Sequence, residues 1–149
     1  MSAYRRKVKL NIPALKASIS VLDKHVNGKE VDPKGLDPKT QGAKLDLGKP
    51  PVFQGVLSYF PKALNAVSLV SLAGAKKYHW KGWEKVEDGF NRYSDALGRH
   101  LLKESYELYD DVDDNGNEGT HLLHAAQVAW NSLSRLEFLL REHKVSSQG

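Results

Sequence analysis

The chain has 149 residues, 40% of them hydrophobic, which suits one compact domain because cores divide only beyond roughly 250–300 residues. It contains no cysteine, which excludes disulfides, thiolate metal sites and cysteine nucleophiles and leaves His, Asp, Glu and Asn as possible metal ligands. The net charge of +4 is uneven, since residues 1–50 carry 11 Lys and Arg against 5 Asp and Glu, whereas residues 51–149 carry 11 against 13.

The N-terminal part of the chain predicts a basic arm. Apolar residues at helical spacing predict a helix near residues 12–26, and the stretch from Asn27 to Pro51 is rich in Gly, Pro, Lys and Asp. We therefore expect an arm of helix and loop over residues 1–41. No apolar run approaches the roughly 20 residues that span a bilayer, and no signal-peptide pattern follows the basic start, so we expect a cytoplasmic protein without membrane contact.

From Pro51 onward the pattern is helical. It predicts a nearly all-apolar helix over residues 61–77, buried on most sides, and a helix that is capped by Asp88 or Asn91 and ends near Tyr109. After a polar loop, a last helix over residues 121–143 is predicted with Thr120 as its cap. Because strand-like alternation and repeats are missing, we predict an all-α fold, a helical bundle of four to five helices, with a helical domain over 42–143 and a tail over 144–149.

The acidic loop between the last two helices has a partial resemblance to a calcium-binding loop. Asp111, Asp113, Asn115 and Asn117 alternate, but position 12 of such a loop is Leu122 where a bidentate Glu is needed. The sequence thus favours a solvated connector or a loop beside a metal site.

The helices on either side of that loop carry polar residues at helical spacing. His100, Glu104 and Glu107 share one face of the first helix, and His121, His124 and Asn131 lie within about a quarter-turn of a common face on the second. A helical hairpin would bring the two faces together, as in bundle proteins that bind divalent metals. Glu104 and Glu107 suit Mg²⁺; the alternative is that these residues are ordinary satisfied polar groups.

A second set of residues is cationic and interleaved with aromatic side chains, a combination that binds phosphate and stacks on bases. A single-stranded nucleic-acid surface would need the same residues, and the lysines at a helix end can instead compensate the helix dipole. Glycine-rich phosphate loops are missing, so a nucleotide would be held by helices and Mg²⁺. The set comprises Lys44, Lys49, Lys76, Lys77, Arg92 and Arg99 with Tyr78, Trp80, Trp83 and Tyr93.

Four ordered motifs resemble a phage-associated family of dATP/dGTP diphosphohydrolases. They are Gly42-Ala43-Lys44-Leu45-Asp46-Leu47-Gly48-Lys49-Pro50; Gly74-Ala75-Lys76-Lys77-Tyr78 with Trp83; Arg92-Tyr93 leading to Arg99-His100; and His121-Leu122-Leu123-His124-Ala125-Ala126 with Asn131. This resemblance covers about residues 42–140. The family is similar to the MazG-type all-α enzymes, which use Mg²⁺ to cut nucleoside triphosphates between the α and β phosphates.

The resemblance implies a Mg²⁺-dependent enzyme, with Mn²⁺ as a possible substitute, that converts purine deoxynucleoside triphosphates to monophosphate and pyrophosphate and shapes a phage nucleotide pool in the host cytoplasm. It also implies a homo-oligomer, dimer or tetramer, without nucleic acid as a partner. The expected metal ligands are Glu104, Glu107 and Asp111, the catalytic residues His100, His121, His124 and Asn131, and the substrate-binding residues Lys44, Lys49, Lys76, Lys77, Tyr78, Trp83, Arg92 and Arg99.

One departure from the MazG pattern affects this expectation. Glu104-Ser105-Tyr106-Glu107 fits the first carboxylate motif, whereas His121 and His124 stand where the second carboxylate pair is expected. Two alternatives stay open on the sequence. The histidines suggest an HD-type phosphohydrolase that releases triphosphate, although adjacent His-Asp residues are missing. The basic N-terminal third suggests a phage nucleic-acid-binding or host-interaction module without enzymatic activity.

Overall fold

Within residues 30–146, three α-helices form the framework: α1 at Pro61–Lys77, α2 at Gly89–Glu104 and α3 at His124–Ser146. A π-helical turn at Phe53–Leu57 precedes α1, and a 3-10 turn at Gly82–Lys85 separates α1 from α2. The structure is a computed structural model that describes residues 30–146, with side chains up to Arg141. Over these residues it contains two isolated β-bridges and no strand, which confirms the predicted all-α class. The helix predicted near residues 12–26 lies outside the described residues.

The chain divides into two units, which meet in sequence between Val56 and Leu57. In the first unit, Asp32 is buried and its carboxylate accepts hydrogen bonds from the backbone N–H groups of Lys34, Leu36 and Lys44. These bonds organise the glycine-rich loop that the sequence predicts as part of an arm. The second unit contains the three helices and is the part described in the following sections.

The bounds of α1 agree with the predicted helix over residues 61–77. Pro61 occupies the first turn, where its fixed φ suits a helix and its missing N–H is not needed. Lys76 and Lys77 lie in the last turn, where cations interact favourably with the helix dipole. The expected burial on most sides is wrong for the single chain, because no residue of α1 is fully buried. No helix of the described part is both long and apolar enough to span a bilayer.

Helix α2 ends and α3 begins differently from the predicted positions, and one contact explains both differences. Tyr109 and Leu123 form an antiparallel bridge, in which the Asp110 N–H donates to the Leu122 carbonyl and the His124 N–H donates to the Leu108 carbonyl. These backbone groups are therefore not available for helical bonds, so α2 stops at Glu104 instead of near Tyr109 and α3 starts at His124 instead of 121.

Helix α3 packs most extensively against α2 and less against α1. Aromatic rings from three elements form the apolar part of this packing: Trp83, Tyr93, Trp130 and Phe138 contact one another with ring centroids 5.4–6.4 Å apart. Gly89 is buried where α2 meets α3. A glycine is needed at this position because a Cβ would overlap the ring of Phe138. These contacts fix the two helices against each other and so fix the side chains near the adjoining loop.

The most buried side chains of the helical unit are polar. Among the described residues, Ala126 is the one fully buried apolar side chain, whereas Asp110, His124, Gln127, Asn131 and Ser134 are all buried. Burying polar groups costs free energy unless each one is hydrogen-bonded, and among the described residues no buried side-chain nitrogen or oxygen lacks a partner. A polar interior of this kind points to a chemical role for the junction of α2 and α3.

Candidate metal centre

Two histidines meet where the C-terminal half of α2 faces the start of α3. The Nδ1 atoms of His100 and His124 lie 2.9 Å apart, and their ring centroids are separated by 5.2 Å. The side chain of His124 is completely buried, while His100 is half-buried. The predicted hairpin therefore does bring these two residues of the two helices together.

Asp110 lies beside the histidines. It is 5% exposed, and its Oδ2 atom accepts hydrogen bonds from Gln127 Nε2 at 2.9 Å, from Thr120 Oγ1 at 2.8 Å and from the Thr120 N–H at 3.2 Å. His100, Asp110 and His124 each offer one ligand atom, and these atoms all lie within 4.8 Å of one another. The three residues thus form a group that could hold a metal ion.

Glu107 contacts the other side of the His124 ring. The Nε2 atom of His124 lies 3.1 Å from Glu107 Oε1, so this nitrogen donates to the carboxylate. A neutral His124 with its proton on Nε2 has its lone pair on Nδ1, the atom that faces His100. Glu107, predicted as a direct metal ligand, is therefore placed so that it fixes the orientation and tautomer of a buried histidine.

The surroundings shift two ionisation equilibria in the cluster. Burial lowers the pKa of His100 below its ordinary value, and this effect outweighs the opposing attraction of Asp110. Burial by itself raises the pKa of Asp110, but the hydrogen bonds from Gln127 and Thr120 more than offset it and hold this pKa below the ordinary value. A neutral imidazole and an ionised carboxylate are the forms that bind a metal ion.

The loop between α2 and α3 folds as a small hairpin. Val112 and Glu118 form an antiparallel bridge, and the Asp113 carboxylate accepts the backbone N–H groups of Asn115 and Asn117. The Asp113 carboxylate thus stabilises the turn of this connector. Gly119 approaches the Asp110 carbonyl so closely that a Cβ would overlap it.

His121 lies at the base of this hairpin, apart from His124. Its backbone has φ +56°, and its ring nitrogens contact Asp111 Oδ1 at 3.0 Å and Glu118 Oε1 at 3.1 Å. The hydrogen bond to Asp111, followed by the one to Glu118, raises the pKa of His121 above its ordinary value. The structure therefore pairs Asp111 with His121 and leaves the buried position of the cluster to Asp110.

Two cations of α2 reach the same loop. Arg99 Nε lies 3.0 Å from Asp114, and Lys103 Nζ lies 3.2 Å from Asp114 and 3.8 Å from Glu107. The Lys103 side chain is only 15% exposed, and its contact with Glu107 holds it close to the cluster. Sequence reasoning predicted Arg99 as a phosphate ligand and did not select Lys103.

The other predicted residues have surroundings of their own in each of the two units. Glu104 is exposed at the end of α2, and buried Asn131 donates its side-chain amide to the Gln127 carbonyl of its own helix. Lys76, Lys77, Tyr78 and Arg92 are exposed, with Lys77 5.5 Å from the centre of the Tyr78 ring. In the first unit, Lys44 pairs with Asp46 at 3.6 Å and Lys49 with Glu30 at 2.7 Å.

Trp83 belongs to the aromatic cluster and lines a cleft of about 260 Å³ between α1 and α3. Trp130 and Glu137 also line the cleft, as does Ser71, whose Oγ accepts a hydrogen bond from Trp130 Nε1 at 2.8 Å. The wall is mostly apolar with a few polar groups, as in small-molecule sites, but the cleft is smaller than the roughly 300–1,000 Å³ of most of them. Of the two predicted base-stacking residues, Trp83 thus lines a cleft, whereas Tyr78 is exposed on the surface.

Besides Lys103, sequence reasoning missed three residues of the site: Asp110, Gln127 and Thr120. The signal for Gln127 was available, because it lies one turn after His124 on the same helix face. The signal for Asp110 was not, because the loop offers four aspartates and only the Tyr109–Leu123 bridge distinguishes them.

Comparison with known proteins gives one match. A protein-family model described as dATP/dGTP diphosphohydrolase, N-terminal, matches residues 39–148 of the chain. A search of curated proteins and a search of solved structures find no similar chain. The matched range covers most of the sequence and includes all of the residues of the candidate metal centre.

Proposed function

The chain belongs to the dATP/dGTP diphosphohydrolase N-terminal family, and from this membership we propose that it hydrolyses dATP and dGTP to the monophosphate and pyrophosphate with a divalent cation. The observation that carries the proposal is the cluster of half-buried His100 with buried Asp110 and His124, whose ligand atoms lie within 4.8 Å of one another. Phosphoanhydride hydrolysis needs a place where negative charge is neutralised and water is activated. Mg²⁺, with Mn²⁺ as a substitute, is the cation that the family resemblance implies.

The residues of the cluster have separate roles in this proposal. His100, Asp110 and His124 would hold the cation, which when bound would polarise a phosphate oxygen and lower the pKa of water. Glu107 orients His124, and Gln127 with Thr120 orients Asp110. Glu104 and Asp111 remain predicted carboxylate ligands for a further cation.

Arg99 and Lys103 would bind the phosphates of the substrate. Both are paired with Asp114, an exposed residue of the hairpin, so a triphosphate can replace that carboxylate without leaving a buried charge unpaired. We include Lys76, Lys77 and Arg92 as further phosphate ligands, because exposed cations can reorient toward a bound polyanion. Lys44 and Lys49 of the first unit stay predictions from the sequence.

The base would lie in the cleft beside Trp83. Trp130, which lines this cleft, follows His124 by six helical residues, about 9 Å along α3 at 1.5 Å per residue. Trp130 also lies about 120° around the helix from His124, so a nucleotide with its phosphates near the histidines would extend its base both along and around α3 to reach the aromatic cluster. Tyr78 is the alternative stacking residue.

One observation favours a second reaction on the same substrates. Two histidines and one aspartate converge, as in the HD-type alternative, whereas a second carboxylate pair is not part of this cluster. A phosphohydrolase of that type releases triphosphate and a nucleoside. Only the products distinguish the two reactions.

The experiment is to incubate the purified 149-residue chain with each deoxynucleoside triphosphate and Mg²⁺ or Mn²⁺ and to separate the products by anion-exchange chromatography. We expect monophosphate and pyrophosphate from dATP and dGTP, and a loss of at least about 100-fold in kcat for Asp110→Asn. Asp95→Asn, which changes an exposed carboxylate of α2, is the matched control. Inorganic triphosphate would select the second reaction, and hydrolysis unchanged in Asp110→Asn would refute the site.

We further propose that the active form is a cytoplasmic homo-oligomer. Large apolar side chains of both α1 and α3 are exposed in the single chain, including Leu69 and Leu72 on α1 and Leu133 and Leu136 on α3. Exposed apolar surface of this kind is usual where two subunits meet. Light scattering coupled to size-exclusion chromatography tests the oligomer, and a monomer at micromolar concentration would contradict it.

A further inference from the structure

We propose that His100, Asp110 and His124 bind a first-row transition-metal dication, of the Mn²⁺ and Co²⁺ class, in preference to Mg²⁺. The inference rests on the proposed metal site and names its cation. Mg²⁺ prefers oxygen ligands, usually one or two carboxylates, water and substrate phosphates. A site with two imidazole nitrogens and one carboxylate oxygen is chemically suited to the softer transition metals.

The distance between the two imidazoles agrees with ligation of one ion. With metal–nitrogen bonds of about 2.1 Å, two nitrogens at right angles around an ion are about 3.0 Å apart. The observed separation of the Nδ1 atoms of His100 and His124 is 2.9 Å. When no ion is bound, the same separation lets His100 donate a hydrogen bond to His124, so binding an ion would release the shared proton and turn both lone pairs toward the ion.

Glu107 supplies the support that a metal-binding histidine requires. It accepts a hydrogen bond from His124 Nε2 at 3.1 Å, on the side of the ring opposite to His100. Histidine ligands commonly donate their second nitrogen to a carboxylate, which fixes the ring and raises its basicity. Glu107 is thus a positioning residue that directs the Nδ1 lone pair of the completely buried His124 toward the cluster.

Asp110 is held in a similar way. All three hydrogen bonds given to its carboxylate by Gln127 and Thr120 fall on Oδ2, so Oδ1 accepts none of them. The carboxylate is therefore oriented by its own neighbours before any cation arrives. Preorganised ligands lose little freedom on binding, which favours a specific ion over loosely bound hydrated Mg²⁺.

The first test measures binding without substrate. The 149-residue chain, stripped of metal by a chelator, is titrated by calorimetry with Mn²⁺, Co²⁺ and Mg²⁺ in separate runs. We expect Mn²⁺ and Co²⁺ to bind at least about tenfold more tightly than Mg²⁺, following the order of affinities for nitrogen-containing sites. Bound Co²⁺ should also give a visible absorption band. Mg²⁺ binding as tight as Mn²⁺ binding would overturn the inference.

Variants show whether the three residues are the ligands. His100→Gln and Asp110→Asn should each weaken Mn²⁺ binding by at least about tenfold, whereas His79→Gln and Asp95→Asn should not. His79 and Asp95 are exposed residues of the same chemical types. Circular dichroism at equal concentration checks that each variant keeps its helices. Loss of binding in Glu104→Gln or Asp111→Asn, with His100→Gln unaffected, would assign the ion elsewhere.

A measurement on the unmodified chain avoids any question of folding. Nitrogen-15 spectra of the histidine rings, recorded with and without the diamagnetic ion Zn²⁺, should show the Nδ1 signals of two histidines shifting on binding, and no such shift would overturn the inference. The result is separable from the proposed function. Pyrophosphate release with Mg²⁺ and unshifted histidine signals would support the proposed function and refute the transition-metal site. Shifted histidine signals without hydrolysis would support the metal site and refute the proposed function.

Discussion

Glu107 accepts a hydrogen bond from the buried ring of His124, with 3.1 Å between Oε1 and Nε2. The contact joins the segment that follows α2 to the first residue of α3, so it connects the two elements that form the cluster. Glu107 is about one-third exposed and His124 is completely buried, so the carboxylate contacts both solvent and the buried ring.

Replacement of Glu107 by Gln should weaken the site while preserving its shape. The amide can still accept from His124 but no longer supplies a charge, so the imidazole becomes less basic. We expect kcat/KM for dATP to fall by about 10–100-fold, the usual effect of losing an outer carboxylate partner of a metal-binding histidine. Steady-state kinetics at saturating cation measure this, with Asp95→Asn as the control. Equal kcat/KM for Glu107→Gln and the unmodified chain would contradict the assigned role.

Replacement of Gly119 by Ala should destabilise the protein. A Cβ at this position would overlap the carbonyl of Asp110. Shifting the backbone to avoid this overlap would also weaken the hydrogen bond that the Gly119 N–H donates to the Asp111 carbonyl. We expect a loss of about 1–3 kcal/mol in the free energy of unfolding, measured by urea denaturation.

Gly98→Ala is the matched control for that substitution. Gly98 lies inside α2 with open space around its Cα, so alanine should increase stability by about 0.5–1 kcal/mol through its better helix propensity. Destabilisation by both alanines to the same extent would show that the close approach of Gly119 to Asp110 has no particular importance.

Two histidines should give the stability of the protein a maximum near pH 6.5. The pKa of His100 is lowered in the folded chain, so its contribution is complete above about 6.5 and is lost as the pH falls toward its folded pKa. The pKa of His121 is raised, so its contribution is complete below about 6.5 and is lost as the pH rises through its folded pKa.

Thermal unfolding across pH 5–8 checks this expectation, together with carbon-13 NMR titration of the histidines. His121→Gln should flatten the alkaline side of the profile, and His100→Gln the acidic side. Titration of His100 at a higher pH than His121 would contradict the assigned environments of both residues.

Trp83 and Tyr78 can be distinguished as the residue that stacks on the base. Trp83→Phe keeps an aromatic ring in the cluster but reduces its stacking surface, so we expect KM for dATP to rise by up to about tenfold with little change in kcat. Tyr78→Ala, on an exposed ring, should leave KM unchanged. If KM rises only in Tyr78→Ala, the base-binding position is instead assigned to the surface beside Lys77.

Much of the helical framework could be predicted from the sequence. The helix over residues 61–77 has the predicted bounds, because Pro61 and the two lysines mark its ends by local chemistry. The inner ends of α2 and α3 could not be predicted. They are set by the bridge between Tyr109 and Leu123, residues 14 positions apart, and helical periodicity contains no signal for such a contact.

The candidate site was predictable to a similar degree. Spacing on two helices identified His100 and His124, since residues on facing sides of a hairpin must meet. It could not identify which loop aspartate would turn inward. Successive residues near an extended bridge point to opposite sides, so Asp110 enters the interior while Asp111 faces His121.

The hairpin tip offers a position for following substrate arrival. Asn115 and Gly116 are exposed, and the turn is held by Asp113 independently of the metal centre. Asp114, next along the chain, carries the ion pairs to Arg99 and Lys103 that an incoming triphosphate would break. Because the chain has no cysteine, Asn115→Cys would introduce a single thiol. A fluorophore attached there would report on the departure of Asp114 from its cations as a change in emission, in real time and without a coupled assay.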